Sequence, residues 1–141
     1  MLNEISFVDR KYLICEEMNN IGVKNGFSFS FGGESKSHIK GLNFGFRVGD
    51  DKENVLKNYK HASKDLGLDY NKIVSSRQSH TDNIRIINKE DEGKGVCLPS
   101  DIYDVDGLIT GEKGIPLVVF SADCYPVLLA VKERKAVAAV H

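Results

Sequence analysis

Three side chains with metal-binding or nucleophilic chemistry stand out in this chain. Cys124 and His141 each follow an apolar, strand-like run, and His80 lies in a polar loop. Side chains at the ends of buried strands are held rigidly. A thiolate and two imidazoles suit zinc or copper and leave a fourth position open for water or substrate. These residues therefore predict a metal centre, or else a cysteine nucleophile with a histidine base.

Whether Cys124 can meet His141 depends on one turn. The charged residues 132–135 separate two apolar strands and predict a hairpin. With a two-residue loop, Pro126 lies opposite His141, and Cys124 is a diagonal neighbour of His141 at about 7–8 Å between backbones. A three-residue loop would shift the register by one residue and turn Cys124 to the other face. The sequence permits convergence without deciding it.

The elements that position these residues are mostly strands, with one clear helix. The helix begins after Asp50 or Asp51 and ends at Gly67. Its apolar stripe consists of Val55, Leu56, Tyr59, Ala62 and Leu66. Strands are predicted at residues 4–8, 12–15, 26–33, 72–76, 83–88, 105–110, 116–120, 127–131 and 136–140, and after a glycine-rich loop at 41–49. We expect an α+β (mixed α/β) fold, strand-rich with few helices, in a single domain over residues 1–141.

Composition narrows the class of protein. The 141 residues carry 19 basic and 20 acidic side chains, and this balance argues against a nucleic-acid partner. No apolar stretch approaches the roughly 20 residues that span a bilayer, and the N-terminus lacks a signal-peptide pattern, so we expect no membrane partner. Three cysteines fit free thiols better than disulfides, so we expect a cytoplasmic location.

Six short segments in a characteristic order carry a resemblance to a known family. They are FSFGG at residues 29–33, LNFG at 42–45, VGDD at 48–51, QSH at 78–80, VDGLIT at 105–110 and ADCYPVLL at 122–129. Together they resemble the YfiH-like family, variously described as multicopper polyphenol oxidase (laccase)-like or as purine nucleoside phosphorylase. The resemblance runs from about Gly26 to His141, and ADCYPVLL is its most specific motif.

The resemblance implies a compact YfiH-like fold and a site built from His80, Cys124 and His141, holding zinc, with copper as the less favoured alternative. It implies small-molecule substrates, through phosphorolysis of adenosine, inosine and methylthioadenosine and through adenosine deamination. Some members look like amidases that remove a misincorporated serine from a peptidoglycan precursor.

Four further residues are candidates for supporting roles. Arg47, where relatives often carry histidine, could bind phosphate through its planar fork, or it could be a surface arginine. Asn43 could bind a sugar or base, or cap its own loop. Asp123 could orient a ligand histidine or cap the adjacent turn, and Gln78 stands two residues before His80.

The resemblance also implies that the family continues beyond the position of His141 with Ala-Gly-Trp-Arg-Gly and a substantial C-terminal portion. We therefore expect this chain to be the N-terminal part of a longer domain. An uncovered sheet edge and apolar surface would then invite self-association. An inactive fragment or a binding module is the non-enzymatic alternative.

The candidate chemistries make different demands on these residues. Zinc would lower the pKa of a bound water to about 7, which suits hydrolytic deamination. A metal-free Cys124 thiolate with His80 or His141 as base would suit an amidase. Laccase activity is disfavoured, because multicopper oxidation needs more histidine ligands than the four histidines of this chain can supply.

Overall fold

The computed structural model describes residues 1–133 and 136–141, which form two compact units, Met1–Leu68 and Asp69–His141. The described residues form nine strands, against two α-helices and three short 3₁₀ helices. The predicted strand-rich α+β class is therefore confirmed. The single domain over residues 1–141 stays a prediction.

The first unit contains a three-stranded antiparallel sheet. Its strands, in spatial order, are β1 (Leu2–Phe7), β2 (Arg10–Cys15) and β3 (Phe27–Ser28). The prediction of β1 and β2 is confirmed to within two residues at each end. The short helix α1 (Glu16–Asn20) after β2 has no counterpart among the predicted elements.

The long helix of the first unit, α2 (Lys52–Leu66), begins and ends where the sequence predicts. The Asp51 side chain accepts a backbone N–H in the first turn, and Gly67 ends the helix with a left-handed φ of 64°. From the predicted apolar stripe, Val55 and Tyr59 are buried in the core. The prediction of this helix is therefore confirmed.

A carboxylate of α2 fastens the helix to β2. Asp65 accepts hydrogen bonds from Arg10 Nε at 2.7 Å and from the Tyr12 hydroxyl at 2.9 Å. Tyr12 is fully buried, so its hydroxyl needs this acceptor.

The strand predicted over residues 26–33 is shorter than expected and consists of β3 alone. Gly32 and Gly33 both have left-handed φ values, 72° and 82°, which glycine adopts without strain. At Gly33 a Cβ atom would also come within 2.7 Å of Asn58 Oδ1. The chain therefore turns away from the sheet at the glycine pair.

The strand predicted after the glycine-rich loop at 41–49 is wrong, because the structure has turns there. The buried side chain of Asn58 in α2, rather than a neighbouring strand, forms hydrogen bonds with main-chain groups in and near this loop. Its side-chain amide donates to the carbonyl of Asn43 at 2.8 Å and accepts the N–H of Glu34 at 2.8 Å. One side chain thus satisfies backbone groups that a sheet ladder would otherwise pair.

The second unit contains two sheets. The larger has the spatial order β5 (Ile84–Ile86), β6 (Gly107–Thr110), β9 (Ala136–Val140), β8 (Val127–Val131), and the smaller pairs β4 (Val74–Ser75) with β7 (Leu117–Val118). The β5–β6 and β4–β7 pairs are parallel, whereas β6–β9 and β8–β9 are antiparallel. Short 3₁₀ helices cover Tyr70–Lys72 and Lys89–Asp91.

The two faces of the four-stranded sheet differ in burial. Leu108 and Ala139 are neighbours on the buried face, and Leu108 belongs to the core with Val74, Ile87, Ile102 and Ile115. On the opposite face, Ile86 is 68% exposed and Leu129 is 53% exposed. This second face is apolar and open among the described residues, and self-association through it stays a prediction.

The register of the β8–β9 hairpin is the one that a two-residue loop requires. Val131 pairs with Ala136, and Val127 pairs with Val140. The turn itself, including the predicted pairing of residues 132 and 135, lies partly outside the described residues. The register nevertheless places Pro126 opposite His141, which is the arrangement predicted for a two-residue loop.

Within the described residues, none of the helices has the length and apolar character that crossing a membrane requires.

Candidate metal centre

The three candidate ligands meet in the second unit. One ligand atom from each of His80, Cys124 and His141 lies within 4.8 Å of the other two. The two imidazole rings meet edge to face, with centroids 4.9 Å apart. His80 and Cys124 are exposed, whereas the His141 side chain is only 8% exposed. The site therefore opens to solvent on one side and is anchored in the protein on the other.

The convergence follows from where the strands of the larger sheet end. Continuing the register beyond β9 places Asp106 of the β6 side and Pro126 of the β8 side next to His141. Cys124 precedes Pro126 by two residues, so it is the diagonal neighbour of His141 that a two-residue loop predicts. The backbone confirms the first neighbour, because the His141 N–H donates to the carbonyl of Asp106 at 2.8 Å.

Asp106 is a buried carboxylate that touches both histidine segments. Its Oδ1 accepts the backbone N–H of His80 at 3.1 Å and lies 2.8 Å from His141 Nδ1. Its Oδ2 accepts the backbone N–H groups of Ser79 and Thr81, each at 3.0 Å. The side chain is 3% exposed, so nearly all of its solvation comes from these donors.

The donors outweigh burial in setting the charge of Asp106. Burial alone would raise the pKa of this carboxyl. The N–H groups of Ser79 and Thr81, the ring of His141 and the N–H of His80 together hold its pKa far below the usual range. Asp106 is therefore an anion at neutral pH.

The segment that presents His80 has an uncommon backbone. His80 has a left-handed φ of 62°, a conformation that costs a non-glycine residue on the order of 1 kcal/mol. The hydrogen bonds of Ser79, His80 and Thr81 to Asp106 hold the chain in this conformation. Strain retained in this way is typical of functional sites.

Gln78 connects the His80 segment to the Cys124 segment. Its amide donates to the carbonyl of Phe120 at 2.9 Å and accepts the Phe120 N–H at 2.6 Å. This reciprocal pair fixes the main chain four residues before Cys124, so Gln78 positions the thiol from a distance.

The Asp123 carboxylate lies next to the thiol rather than next to a histidine. Cys124 Sγ and Asp123 Oδ1 are 3.8 Å apart, and both residues are exposed. The carboxylate that meets a histidine nitrogen is Asp106. The Ser121 hydroxyl closes the turn by donating to the carbonyl of Cys124.

The two predicted substrate-binding residues, Asn43 and Arg47, belong to the first unit. The Asn43 amide donates to Asp50 Oδ2 at 2.8 Å and to the carbonyl of Gly45 at 3.1 Å, and it accepts the Gly45 N–H at 2.9 Å. Asn43 therefore stabilises its own loop. Arg47, further along this loop, is exposed.

Sequence reasoning missed Asp106 as a functional residue. The segment VDGLIT at residues 105–110 was part of the family resemblance, but an aspartate before a glycine also suits an ordinary turn. Its partners are mostly backbone N–H groups, and the residue types in the sequence do not reveal which of these groups donate to it. Asp106 comes to lie beside His141 through the pairing of β6 with β9, which no local sequence pattern specifies.

The donor set fits a metal ion. Two imidazoles and a thiolate are ligands that zinc and copper share, and three protein ligands with one open position are typical of catalytic zinc. The mutual spacing within 4.8 Å lets the three ligand atoms surround one ion at bond lengths of about 2.0–2.3 Å after small side-chain adjustments.

Comparisons with known proteins show the family to which the chain belongs. The model of the family described as "Multi-copper polyphenol oxidoreductase laccase" matches residues 24–141. A purine nucleoside phosphorylase, YlmD of Geobacillus stearothermophilus, is 32% identical over 133 residues, which cover 94% of this chain and 48% of the relative. A purine nucleoside phosphorylase of Streptomyces coelicolor is 36% identical over 120 residues, covering 85% of this chain and 47% of the relative.

Solved structures show the same fold. The structure of a protein from Bacillus licheniformis titled hypothetical protein YfiH has a TM-score of 0.85 and 32% identity, and the match covers 92% of this chain and 48% of that one. The chain thus spans about half the length of the relatives that it matches.

Proposed function

We propose that this chain, which belongs to the family described as multi-copper polyphenol oxidoreductase laccase, acts as a purine nucleoside phosphorylase with zinc at His80, Cys124 and His141. The observation that carries the proposal is the convergence of these three donors within 4.8 Å. The relatives at 32% and 36% identity are named purine nucleoside phosphorylases, and this supports the substrate class.

Phosphorolysis transfers the ribosyl group of a nucleoside from the purine nitrogen to phosphate. Phosphate forms a bond to C1′ as the C1′–N bond breaks, and the leaving purine takes up a proton. Adenosine, inosine and methylthioadenosine would all react in this way. A bound zinc ion would supply a Lewis acid and lower the pKa of a water ligand, which also suits adenosine deamination.

We propose Arg47 as the residue that recognises phosphate. It is exposed, and its guanidinium presents a rigid fork of donors that matches an oxyanion. Asn43 keeps a proposed role in substrate binding, although its amide is already hydrogen-bonded to Asp50 and Gly45. An increase of the phosphate KM in Arg47→Ala, larger than in Arg47→Lys, would support this role.

The decisive experiment combines metal content with phosphate-dependent turnover. We expect about one zinc per chain and release of adenine from adenosine only when phosphate is present. Cys124→Ser should lose both properties. Cys97→Ser is the matched control, since Cys97 is also an exposed free cysteine and does not belong to the ligand cluster. A metal-free protein whose Cys124→Ser variant retains full turnover would contradict the proposal.

One observation favours a second candidate, an amidase that uses Cys124 as its nucleophile. The thiol is exposed and lies close to two imidazoles, either of which could accept its proton. In such an amidase, the Cys124 thiolate would attack the amide carbonyl of a serine-containing peptidoglycan precursor, forming a thioester as the C–N bond breaks and the amine leaves with a proton from a histidine. Water would then hydrolyse the thioester, and no phosphate would be needed. Mass spectrometry of the trapped adduct separates this candidate from phosphorolysis.

The word laccase in the family description does not carry over to our proposal. Of the four histidines in the chain, His80 and His141 lie at the site, while His38 and His61 belong to the first unit. His61 Nε2 lies within hydrogen-bond distance of Glu34 Oε1, at 3.0 Å. Two histidines and one cysteine hold one metal ion, whereas multicopper oxidation needs a blue-copper site together with further histidine ligands.

A further inference from the structure

Asp106 links the two histidines through a single oxygen atom. Oδ1 accepts the backbone N–H of His80 at 3.1 Å and lies 2.8 Å from Nδ1 of His141. The other oxygen accepts the N–H groups of Ser79 and Thr81 and the Thr81 hydroxyl. A carboxylate is the side-chain group that can accept so many hydrogen bonds at once.

The direction of these hydrogen bonds fixes the tautomer of His141. Backbone N–H groups can only donate, so both oxygens of Asp106 act as acceptors. His141 Nδ1 must then carry the hydrogen that it shares with Oδ1. In the neutral ring, the lone pair is left on Nε2, the nitrogen that is free to bind a metal ion.

Asp106 also fixes the position of His80. The backbone N–H groups of Ser79, His80 and Thr81 all donate to the Asp106 carboxylate. His80 adopts its left-handed φ of 62° in the segment that these hydrogen bonds hold in place. The same anion therefore sets the ring orientation of one histidine and the backbone of the other.

We propose that Asp106 is the positioning residue of the metal site, which holds His141 as the Nδ1–H tautomer and sets the place of His80 before a metal ion binds. The inference rests on the proposed metal site, and it assigns to Asp106 a role that the ligand set alone does not contain. Carboxylates that support metal-bound histidines in this way raise metal affinity by about 10–100-fold.

The first test needs no variant. Nitrogen-15 NMR of the metal-free full chain, at a pH where His141 is neutral, reports which ring nitrogen carries the hydrogen. We expect Nδ1 to be protonated and Nε2 to be unprotonated. A His141 ring with its hydrogen on Nε2 would overturn the inference, whether or not any variant folds.

The second test measures metal affinity, with Zn²⁺ in competition with a chelator and with the absorption spectrum of bound Co²⁺. Asp106→Asn should weaken binding by about 10–100-fold and change the Co²⁺ spectrum. Asp104→Asn is the matched control, because Asp104 accepts the Ser79 hydroxyl at 3.0 Å in the same loop without reaching a histidine ring. We expect Asp104→Asn to change affinity by less than about threefold, as is usual for a surface change.

The outcomes separate this inference from the proposed function. A folded Asp106→Asn variant with unchanged metal affinity, or an equal loss in Asp104→Asn, would overturn the role of Asp106. A wild-type chain that binds no zinc would overturn the metal-dependent function, while the NMR test of the His141 tautomer would still decide whether Asp106 positions the ring.

Discussion

The second unit buries two aspartates that differ in how their charge is compensated. Asp91 and Asp106 are each 2% exposed, and the pKa of each is lowered although burial alone would raise it. Asp91 is surrounded by cations. Its Oδ1 lies 2.8 Å from Lys94 Nζ and 3.2 Å from Arg85 Nη2, and Oδ2 accepts the Asn88 N–H.

Within residues 1–133 and 136–141, the side-chain partners of Asp106 are N–H and O–H donors of residues 79–81 and the ring of His141, with no lysine or arginine among them. Lys94 and Arg85 neutralise Asp91 locally, so that carboxylate stabilises the loop between β5 and β6. The N–H and O–H donors around Asp106 solvate its carboxylate without cancelling its negative charge. This charge can therefore still attract a cation bound on the other side of the His141 ring. The difference teaches that a buried carboxylate without a cationic partner deserves a search for a ligand.

The largest expected effect is on stability. Asp106→Ala removes the acceptor of three backbone N–H groups in part-buried hydrogen bonds, which should lower the free energy of unfolding by about 3–5 kcal/mol. Asp91→Ala should lower it by only about 1–2 kcal/mol, because Lys94 and Arg85 keep Asp101 as a partner and reach solvent. Urea unfolding of both variants measures the difference. Equal losses would mean that the backbone donors around Asp106 find other acceptors.

Metal affinity should separate the two aspartates further. Asp91→Asn should leave Zn²⁺ affinity within about twofold of the wild type, while Asp106→Asn loses about 10–100-fold, or roughly 1.4–2.7 kcal/mol. Asp91 lies outside the ligand cluster and touches none of its residues in the recorded hydrogen bonds. Chelator competition on both variants checks this split. A matching loss in Asp91→Asn would show that affinity follows overall stability rather than the positioning of His141.

The comparison also shows which parts of the site could be predicted from the sequence. Two apolar runs on either side of a charged turn predicted β8 and β9, but the sequence left their register open between a two-residue and a three-residue loop. The structure shows the register of the two-residue loop, and this register brings Cys124 towards His141. The neighbours of Asp106 could not be predicted, since the pairing of β6 with β9 joins segments about 30 residues apart and no local pattern specifies it.

The loop at 41–49 shows the same limit in the first unit. Its apolar residues and glycines suggested a strand, but the Asn58 amide donates to the carbonyls of Gly41 and Asn43 of this loop from within α2. Asn58 lies on the buried face of the helix together with Val55 and Tyr59, so this otherwise apolar face contains one buried amide. Sequence patterns predict the helix and cannot show which loop its buried amide will bind.

Acidification should affect the two aspartates at different pH values. Each has a folded pKa below its usual value of 3.8, so its stabilising contribution is complete above about pH 5 and is lost as the pH falls through the folded pKa. The pKa of Asp106 is held far below the usual range, whereas the lowering at Asp91 is smaller. Comparison of unfolding free energies at pH 7 and pH 3 for the wild type, Asp91→Asn and Asp106→Asn should show the effect of Asp91→Asn shrinking first. The opposite order would contradict the assigned hydrogen bonds.

The smallest expected effect is that of salt, and it tests the cause of the difference directly. Raising NaCl from 0.05 M to 1 M shortens the Debye length to about 3 Å and screens the partly exposed Lys94 and Arg85. The stability difference between wild type and Asp91→Asn should therefore fall by up to about 1 kcal/mol. The difference between wild type and Asp106→Asn should hardly change, because backbone N–H groups in contact with a buried carboxylate are not screened by ions in solution. A salt dependence of equal size at both positions would show that a cation compensates Asp106 after all, and the argument for a ligand at His141 would lose its electrostatic basis.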